Sequence, residues 1–261
     1  MEAATRRLTW LGQAGFRIEL DGAVAVVDPW LSSHEDRLIP MAPLELAADG
    51  VDVLLITHEH LDHLDLPFLP TFLERAPDAP VVMPRAIAQL VEGVVPESRL
   101  VLVGPGDAVE VAGLEIHVAP ATHALETTHD YGDGSANGGL PRFVGYVLGR
   151  ARRIYHAGDT LVTDELVDSL QPLDVEVALL PINGRDAERE ARGIVGNMAA
   201  AEAVEFALTI RASTLVPYHW DGFVGNTVAP ETAQDEARGR LEVLIPEHFR
   251  PVDLGAVEWA T

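Results

Sequence analysis

The chain has 261 residues, 48% of them hydrophobic, enough for one large domain or two fused half-domains with a sizeable core. Its 41 acidic residues outweigh 18 basic ones for a formal charge of −23, and a field of that sign repels phosphate backbones, which argues against general nucleic-acid binding. There is no Cys and every basic residue is Arg, so disulfides, thiolate nucleophiles, zinc ribbons, iron–sulfur clusters, Schiff bases and P-loop lysines are excluded.

The opening "MEAATRRLTWLGQ" lacks the apolar core of a signal peptide, and no apolar stretch approaches a membrane span. The expectation is a cytoplasmic protein with no membrane partner. "RRLTWL", "FRIEL" and "AVAVVD" read as successive strands. "VDVLLIT" is nearly continuous in apolar residues, as a strand buried on both faces is. "LPFLPTFLERAP" reads as a helix with Pro67 in its first turn, "APVVMP" as a strand, and "RAIAQLVEGV" as a helix ended near Gly93. "RLVLV", "AVEVAG" and "LEIHVAP" follow as short strands at hairpin spacing.

From His123 to Pro141 the periodicity disappears into a polar, glycine-rich segment, and loops of that length are functional or disordered. "RFVGYVLG" and "RRIYHAGD" then form a hairpin, with a helix from about Thr163. "DVEVALLPI" is a strand and "NMAAAEAVEFALTIRA" a helix with Asn197 as its N-cap. "STLVPYHW", a helix near residues 230–240 and "LEVLIP" complete the pattern. No exact repeat or composition break marks a boundary. The simplest arrangement is one domain, residues 1–261, with two mixed sheets face to face and helices outside.

The chemistry concentrates in "THEHLDHLD". His58 and His60 are two apart, so in an extended segment they point the same way, and Asp62 and His63 follow where the chain turns toward a helix. A loop of this shape presents four donors around one point or around two adjacent ones. It is not the helical H-E-x-x-H motif, because the fourth position after His58 is Asp62 and the upstream segment is a strand. His123, Asp159 and His219 stand at the ends of three other strands, which points to one shared site.

In their order and spacing, "THEHLDHLD", His123, "HAGDT" and "PYHW" resemble the metal motifs of the metallo-β-lactamase superfamily. "LTWLGQAGFRIELDGAVAVVDPWL" is similar to its opening hairpins, so the resemblance covers nearly the whole chain. "LLPINGR", "GNMAAAEAV" and "LVPYHWDGF" resemble its ascorbate-6-phosphate lactonase-like branch. The resemblance implies a four-layer αββα sandwich and two divalent ions. His58, His60 and His123 would hold one, Asp62, His63 and His219 the second, and Asp159 would bridge them. Zinc is the leading metal, with manganese or iron(II) also compatible with imidazole and carboxylate donors. Lactonase-like relatives imply a homo-oligomer. The better-known lactamases often place a Cys in the second site, and this chain has none, which argues against β-lactam turnover.

The chemistry of such a pair agrees. Two ions about 3.5–4 Å apart share one hydroxide, because the pKa of bound water falls from 15.7 toward roughly 7. The expected activity is hydrolysis of a small, anionic substrate, a lactone or phosphoester. A phosphodiesterase or nuclease, and a non-catalytic binding protein on the same scaffold, are the alternatives. Asp62 is the candidate catalytic residue, orienting the nucleophile or carrying a proton to the leaving group. Asn183 and Arg185 are candidates for gripping an anionic group. Asp65 reads either as a partner of a ligand imidazole or as a helix-start acid, Asp28 as a supporting residue, and His156 as support or packing. Tyr218 is a candidate oxyanion stabiliser or a residue facing the other way, and His129 belongs to the long loop, which could form a lid.

Overall fold

The computed structural model describes residues 5–124, 132–135, 139–192 and 194–255. His129 and part of the segment considered as a lid lie outside them. Three antiparallel strands open the chain: β1 (Arg7–Gly12), β2 (Gly15–Leu20) and β3 (Ala23–Val27). A short helix α1 (Leu44–Ala48) leads to β4 (Val53–Leu55), then come α2 (Leu69–Arg75), β5 (Val81–Pro84) and β6 (Leu100–Val103). β3 to β6 are parallel neighbours.

The second half repeats that plan. β7 (Ala108–Val111), β8 (Leu114–Pro120), β9 (Val144–Leu148) and β10 (Arg153–His156) are antiparallel. Helix α3 (Asp164–Leu170) precedes β11 (Val175–Pro181), and α4 (Ala187–Ala191) and α5 (Ala200–Thr209) precede β12 (Thr214–Tyr218). After α6 (Glu231–Ala237), β13 (Glu242–Val243) is the last parallel strand of this sheet. The chain then crosses back, and β14 (Pro251–Asp253) pairs antiparallel with β1. The sheet orders are β14-β1-β2-β3-β4-β5-β6 and β13-β12-β11-β10-β9-β8-β7.

The inner faces of both sheets share one core, with Trp10, Phe16 and Ile18 from the first and Ile116, Tyr146, Leu179 and Val216 from the second. α1 and α2 cover the outer face of the first sheet through Ala47, Ala48, Leu69 and Phe72. α3, α5 and α6 cover the second through Leu166, Leu170, Val204 and Ala233. The molecule is therefore the expected αββα sandwich of two mixed sheets. The continuous apolar run of β4 follows from it: Val53 and Leu55 face the inner core while Leu54 faces the helices. Among the described residues, no helix is long and apolar enough to cross a membrane.

Local differences from the sequence reading have local causes. Arg85–Val91 is a 3-10 helix rather than an α-helix, a short stretch between Pro84 and Gly93 that buries Ile87 and Val91. α5 begins at Ala200, not after Asn197, because the Asn197 side chain is buried and donates to Asn183 Oδ1. Glu202 Oε2 accepts from the Ala199 N–H instead, closing the helix start from within. Thr163 does cap α3, accepting from Leu166 N at 3.2 Å.

Candidate metal centre

All the donor residues follow the C-terminal ends of strands at one edge of the sandwich. The loop after β4 carries His58, His60, Asp62 and His63. His123 follows β8, Asp159 follows β10 and His219 follows β12. His58, His60, His123 and Asp159 form one cluster of ligand atoms lying within 4.8 Å of one another, and Asp62, His63 and His219 form a second. Asp159 links them. Its Oδ1 stands 3.3 Å from His63 Nε2, and its Oδ2 stands 3.4 Å from His123 Nε2 and 3.3 Å from His219 Nε2. His58 Nε2 and His60 Nδ1 are 3.0 Å apart, and His219 Nε2 is 3.4 Å from Asp62 Oδ2.

A supporting network fixes which nitrogen each histidine presents. Asp28 is fully buried, and its carboxylate accepts from Thr57 N at 2.8 Å, Thr57 Oγ1 at 2.5 Å and His63 Nδ1 at 2.7 Å. Because the Thr57 hydroxyl proton goes to Asp28, His58 Nδ1, 3.0 Å away, is left to donate to Thr57 Oγ1. With Nδ1 engaged on this side, each imidazole has its Nε2 turned to the centre, where it would ligate a cation once unprotonated, the arrangement metal-ligating histidines need. His156 donates from Nε2 to Ala14 O at 2.8 Å and accepts from Gly158 N at 3.2 Å, which shapes the turn before Asp159. At Gly158, φ is +62° and a Cβ would stand 2.8 Å from Val144 O and 2.9 Å from Thr57 Cβ, so only glycine lets the two ligand loops meet there.

Two tyrosines brace those loops from beneath. Tyr146 donates to Ile56 O at 2.7 Å, and Tyr218 donates to Gly158 O. Burial pushes both phenols up from their ordinary range, so they remain neutral donors. Tyr218 thus holds the backbone next to Asp159 and does not reach the cavity. Gln13, in the turn between β1 and β2, is, like Thr57 and Tyr146, a residue that sequence reasoning missed. Its Nε2 donates to Asp62 Oδ2 at 2.8 Å and lies 3.0 Å from His219 Nε2. Gln13, Asp28 and His219 all have left-handed backbones, with φ of 50°, 44° and 59°. Such conformations cost on the order of 1 kcal/mol or more each and gather at functional sites. The only signal for Gln13 was a polar residue bracketed by glycines between two buried strands.

The electrostatics split the histidines. Burial holds His58 and His60 below their usual range, and brings His123 down to about 4. Burial also opposes charge on His63 and His219, but Asp159 and Asp62 outweigh it, raising His63 well above its ordinary value and His219 to about 9. Burial opposes ionisation of Asp62, which His63 and His219 overcome, so its carboxyl lies below the usual range. The carboxyl of Asp159 is likewise low, with burial outweighed by His219 and His63. His63 Nε2 and Asp159 Oδ1 are buried at the centre of this cluster and lack hydrogen-bond geometry to any partner. Orphaned buried atoms that face one another across a set of imidazoles and carboxylates fit divalent cations.

The centre forms the floor of a cavity of about 440 Å³, to which His60, Asp62, His123, Asp159 and His219 contribute. The rest of its lining is His34, Asp36, Leu61, Ile194, Val195, Phe223, Val224 and Asn226. Asn183 and Arg185, expected at the rim, do not line it. Asn183 is buried, donating to Asn226 Oδ1 at 3.1 Å and accepting from Asn197. The Arg185 fork closes on Glu202 at 2.6 and 2.7 Å and also donates to Asn197 O, so it steadies the start of α5. Asp65 touches no imidazole: it accepts from Leu31 N, Ser32 N, Ser32 Oγ and Phe68 N, tying two loops together.

The comparisons with known proteins agree with this geometry. A model of the β-lactamase superfamily domain matches residues 25–220. A UPF0173 metal-dependent hydrolase of Methanopyrus kandleri is 34% identical over 249 residues, 91% of this chain and 91% of that protein. Igni18, a metallo hydrolase from Ignicoccus hospitalis, shares the fold at a TM-score of 0.73 and 24% identity, over 95% of this chain and 97% of that one. An isothiocyanate hydrolase from Delia radicum gut bacteria does so at a TM-score of 0.75 and 20% identity, over 95% and 99%. The chain belongs to the β-lactamase superfamily and, within it, to the UPF0173 metal-dependent hydrolases.

Proposed function

We propose that the protein hydrolyses a small carbonyl substrate, an ester or a lactone, with two divalent ions as cofactors. His58, His60 and His123 would hold one ion and Asp62, His63 and His219 the other, with Asp159 shared between the two sets. The observation that carries this reading is the pair of orphaned atoms, His63 Nε2 and Asp159 Oδ1, where both donor groups converge. The two atoms face each other at 3.3 Å as an ion pair without a hydrogen bond, and a cation at the centre would give each a ligand bond. Zinc suits these donors best, with manganese or iron(II) also compatible. When bound, such ions polarise a carbonyl oxygen and lower the pKa of water from 15.7 to about 7.

The chain's own residues do the rest. The substrate carbonyl enters over His60, Asp62, His123, Asp159 and His219 on the cavity floor. Water adds its oxygen to the carbonyl carbon, and the bond to the leaving oxygen breaks. Asp62 takes the water's proton and passes it to the leaving oxygen, giving an alcohol and a carboxylic acid from an ester, or one hydroxy acid from a lactone. Gln13 holds Asp62 in place through Oδ2. Asp28 and Thr57 keep His58 and His63 in the tautomers that accept a cation. The lactone end of the class fits the branch that "LLPINGR" and "LVPYHWDGF" resemble. A small molecule suits the cavity volume, and the charge of −23 disfavours a nucleic-acid substrate.

Elemental analysis of protein purified without chelator, with turnover of a simple lactone, a simple ester and bis(4-nitrophenyl) phosphate, tests the reading. About two ions per chain and faster lactone or ester cleavage are expected. Absence of metal after soaking with zinc or manganese removes the reading, and preferential cleavage of the phosphodiester moves the protein to the phosphodiesterase alternative.

A further inference from the structure

The apolar part of the cavity lining, which begins beside the donors themselves at Leu61, differs in character from the floor. Leu61, Ile194, Val195, Phe223 and Val224 line it, and Leu61 and Val224 are about half exposed, at 50% and 54%. Among the described residues, no arginine lines the cavity; Arg192, whose guanidinium borders Gly225, lines the neighbouring cleft with Asn183 and Val228, and four other arginines are engaged elsewhere. Arg37 lies 4.0 Å over the Trp30 ring and donates to the carbonyls of Trp30, Ser32, Ile39 and Pro40. Arg189 is tied to Asp186, Asn183 O and Asn226 Oδ1, and Arg185 to Glu202. Arg142 pairs with Glu59. The formal charge that the wall does carry is negative, at Asp36.

This wall is built before any ligand arrives. Phe223 stacks on Trp30 with centroids 4.8 Å apart and meets His34 edge-on at 5.7 Å. The loops bearing them are zipped by Leu38 N to Gly222 O at 3.0 Å and Val224 N to Asp36 O at 3.1 Å. An apolar lining that shares one cavity with the donor cluster, braced at Phe223 and Val224 and with no arginine among its residues, suits an uncharged molecule with a hydrophobic arm.

We infer that the substrate is an uncharged ester or lactone whose apolar group lies against Leu61, Phe223 and Val224 while its carbonyl faces Asp62 and Asp159. The inference rests on the hydrolase reading for the identity of the reacting group, but the selectivity belongs to the wall. It replaces the anionic substrate expected from Arg185.

Two measurements on the metal-loaded full chain test it. The first is kcat/KM for 4-nitrophenyl acetate, butyrate and hexanoate, and for 4-nitrophenyl hydrogen succinate, which adds a carboxylate to the acyl chain. The second is calorimetric binding of the ketones 2-butanone to 2-octanone, which cannot be hydrolysed, with and without prior chelation. Affinity and kcat/KM should rise up to about fourfold per added methylene, the limit set by complete burial of each group. The succinate ester should fall at least about tenfold below the butyrate, since a carboxylate stripped of water on an apolar wall loses more than one such step. Val224→Asp and Leu61→Asp, at exposed positions that leave the core intact, should flatten both series. Ketone affinity independent of chain length, or succinate cleavage equal to or faster than butyrate cleavage, would overturn the inference. A ketone series with the expected slope but no cleaved ester would sink the hydrolase reading and leave the wall's selectivity standing. Cleavage with no dependence on chain length would do the reverse.

Discussion

Asp159 faces His63 through one oxygen and His123 and His219 through the other. Asn has the same outline but is neutral and offers one good oxygen. Asp159→Asn should keep the far-ultraviolet circular dichroism spectrum, lose at least one ion per chain by elemental analysis, and lose most of the turnover. Full metal content with full activity in this variant would refute the bridging role. Asp28 acts one step further out, holding His63 and Thr57 rather than a metal. Asp28→Asn should weaken metal binding about 10–100-fold in a chelator competition, the usual cost of removing a carboxylate behind a ligand imidazole. At this scale the convergence of the candidate donors was legible in the sequence, because H-x-H-x-D-H after a buried strand crowds together more ligand-type side chains than a polar turn needs. Gln13, Thr57 and Tyr146 were not, because their work consists of contacts between segments remote in sequence. Arg185 was misleading for the same reason: its partner Glu202 lies seventeen positions on, in α5.

Among the elements, α5 and the turn before it carry a testable consequence of that pairing. Arg185→Ala removes the bidentate bond to Glu202 and the bond to Asn197 O, both partly exposed, so it should lower stability by about 0.5–1 kcal/mol in urea. KM for an uncharged ester should stay unchanged; a large rise in KM would return Arg185 to the substrate. The Arg185 hydrogen bond holds the Glu202 carboxyl below its ordinary 4.5. A depressed carboxyl contributes stability above its unfolded pKa and loses it as pH falls through the folded one. The stability gap between wild type and Arg185→Ala should therefore be constant above about pH 5.5 and shrink at pH values below the ordinary glutamate range. The strands were readable from their apolar runs, since alternation and burial are properties of single segments. The short pieces were not: α1, α4 and β14 are five, five and three residues long, too brief to show a period. Only Glu242 and Val243 of "LEVLIP" pair as a strand, beside Thr214 and Leu215, while β12 itself runs on to Tyr218.

On the scale of the whole molecule, ions held as proposed would join loops from both sheets, so they should bind the folded chain and not the unfolded one. A ligand at 100 times its Kd adds about 2.7 kcal/mol of stability. For a chain of this size that corresponds to a rise in Tm of about 5–10 °C, to be lost on chelation and regained with zinc in differential scanning fluorimetry. An unchanged Tm on chelation, in protein whose metal content has fallen, would mean that the donor loops are held in place without any ion. The αββα arrangement itself was legible because each half shows strands followed by strand–helix alternation. The return of β14 to the first sheet had no sequence signal, because it is a partnership between the two ends of the chain.

The division of the donors between the two sheets has one more consequence. His58, His60, Asp62 and His63 lie before the glycine-flanked turn at Gly104–Gly106, and His123, Asp159 and His219 lie after it. Were the peptide cut there, neither fragment would keep the full donor set of either group. Retention of zinc by a mixture of the two would then report on their reunion, making the metal centre a built-in gauge of split-protein complementation.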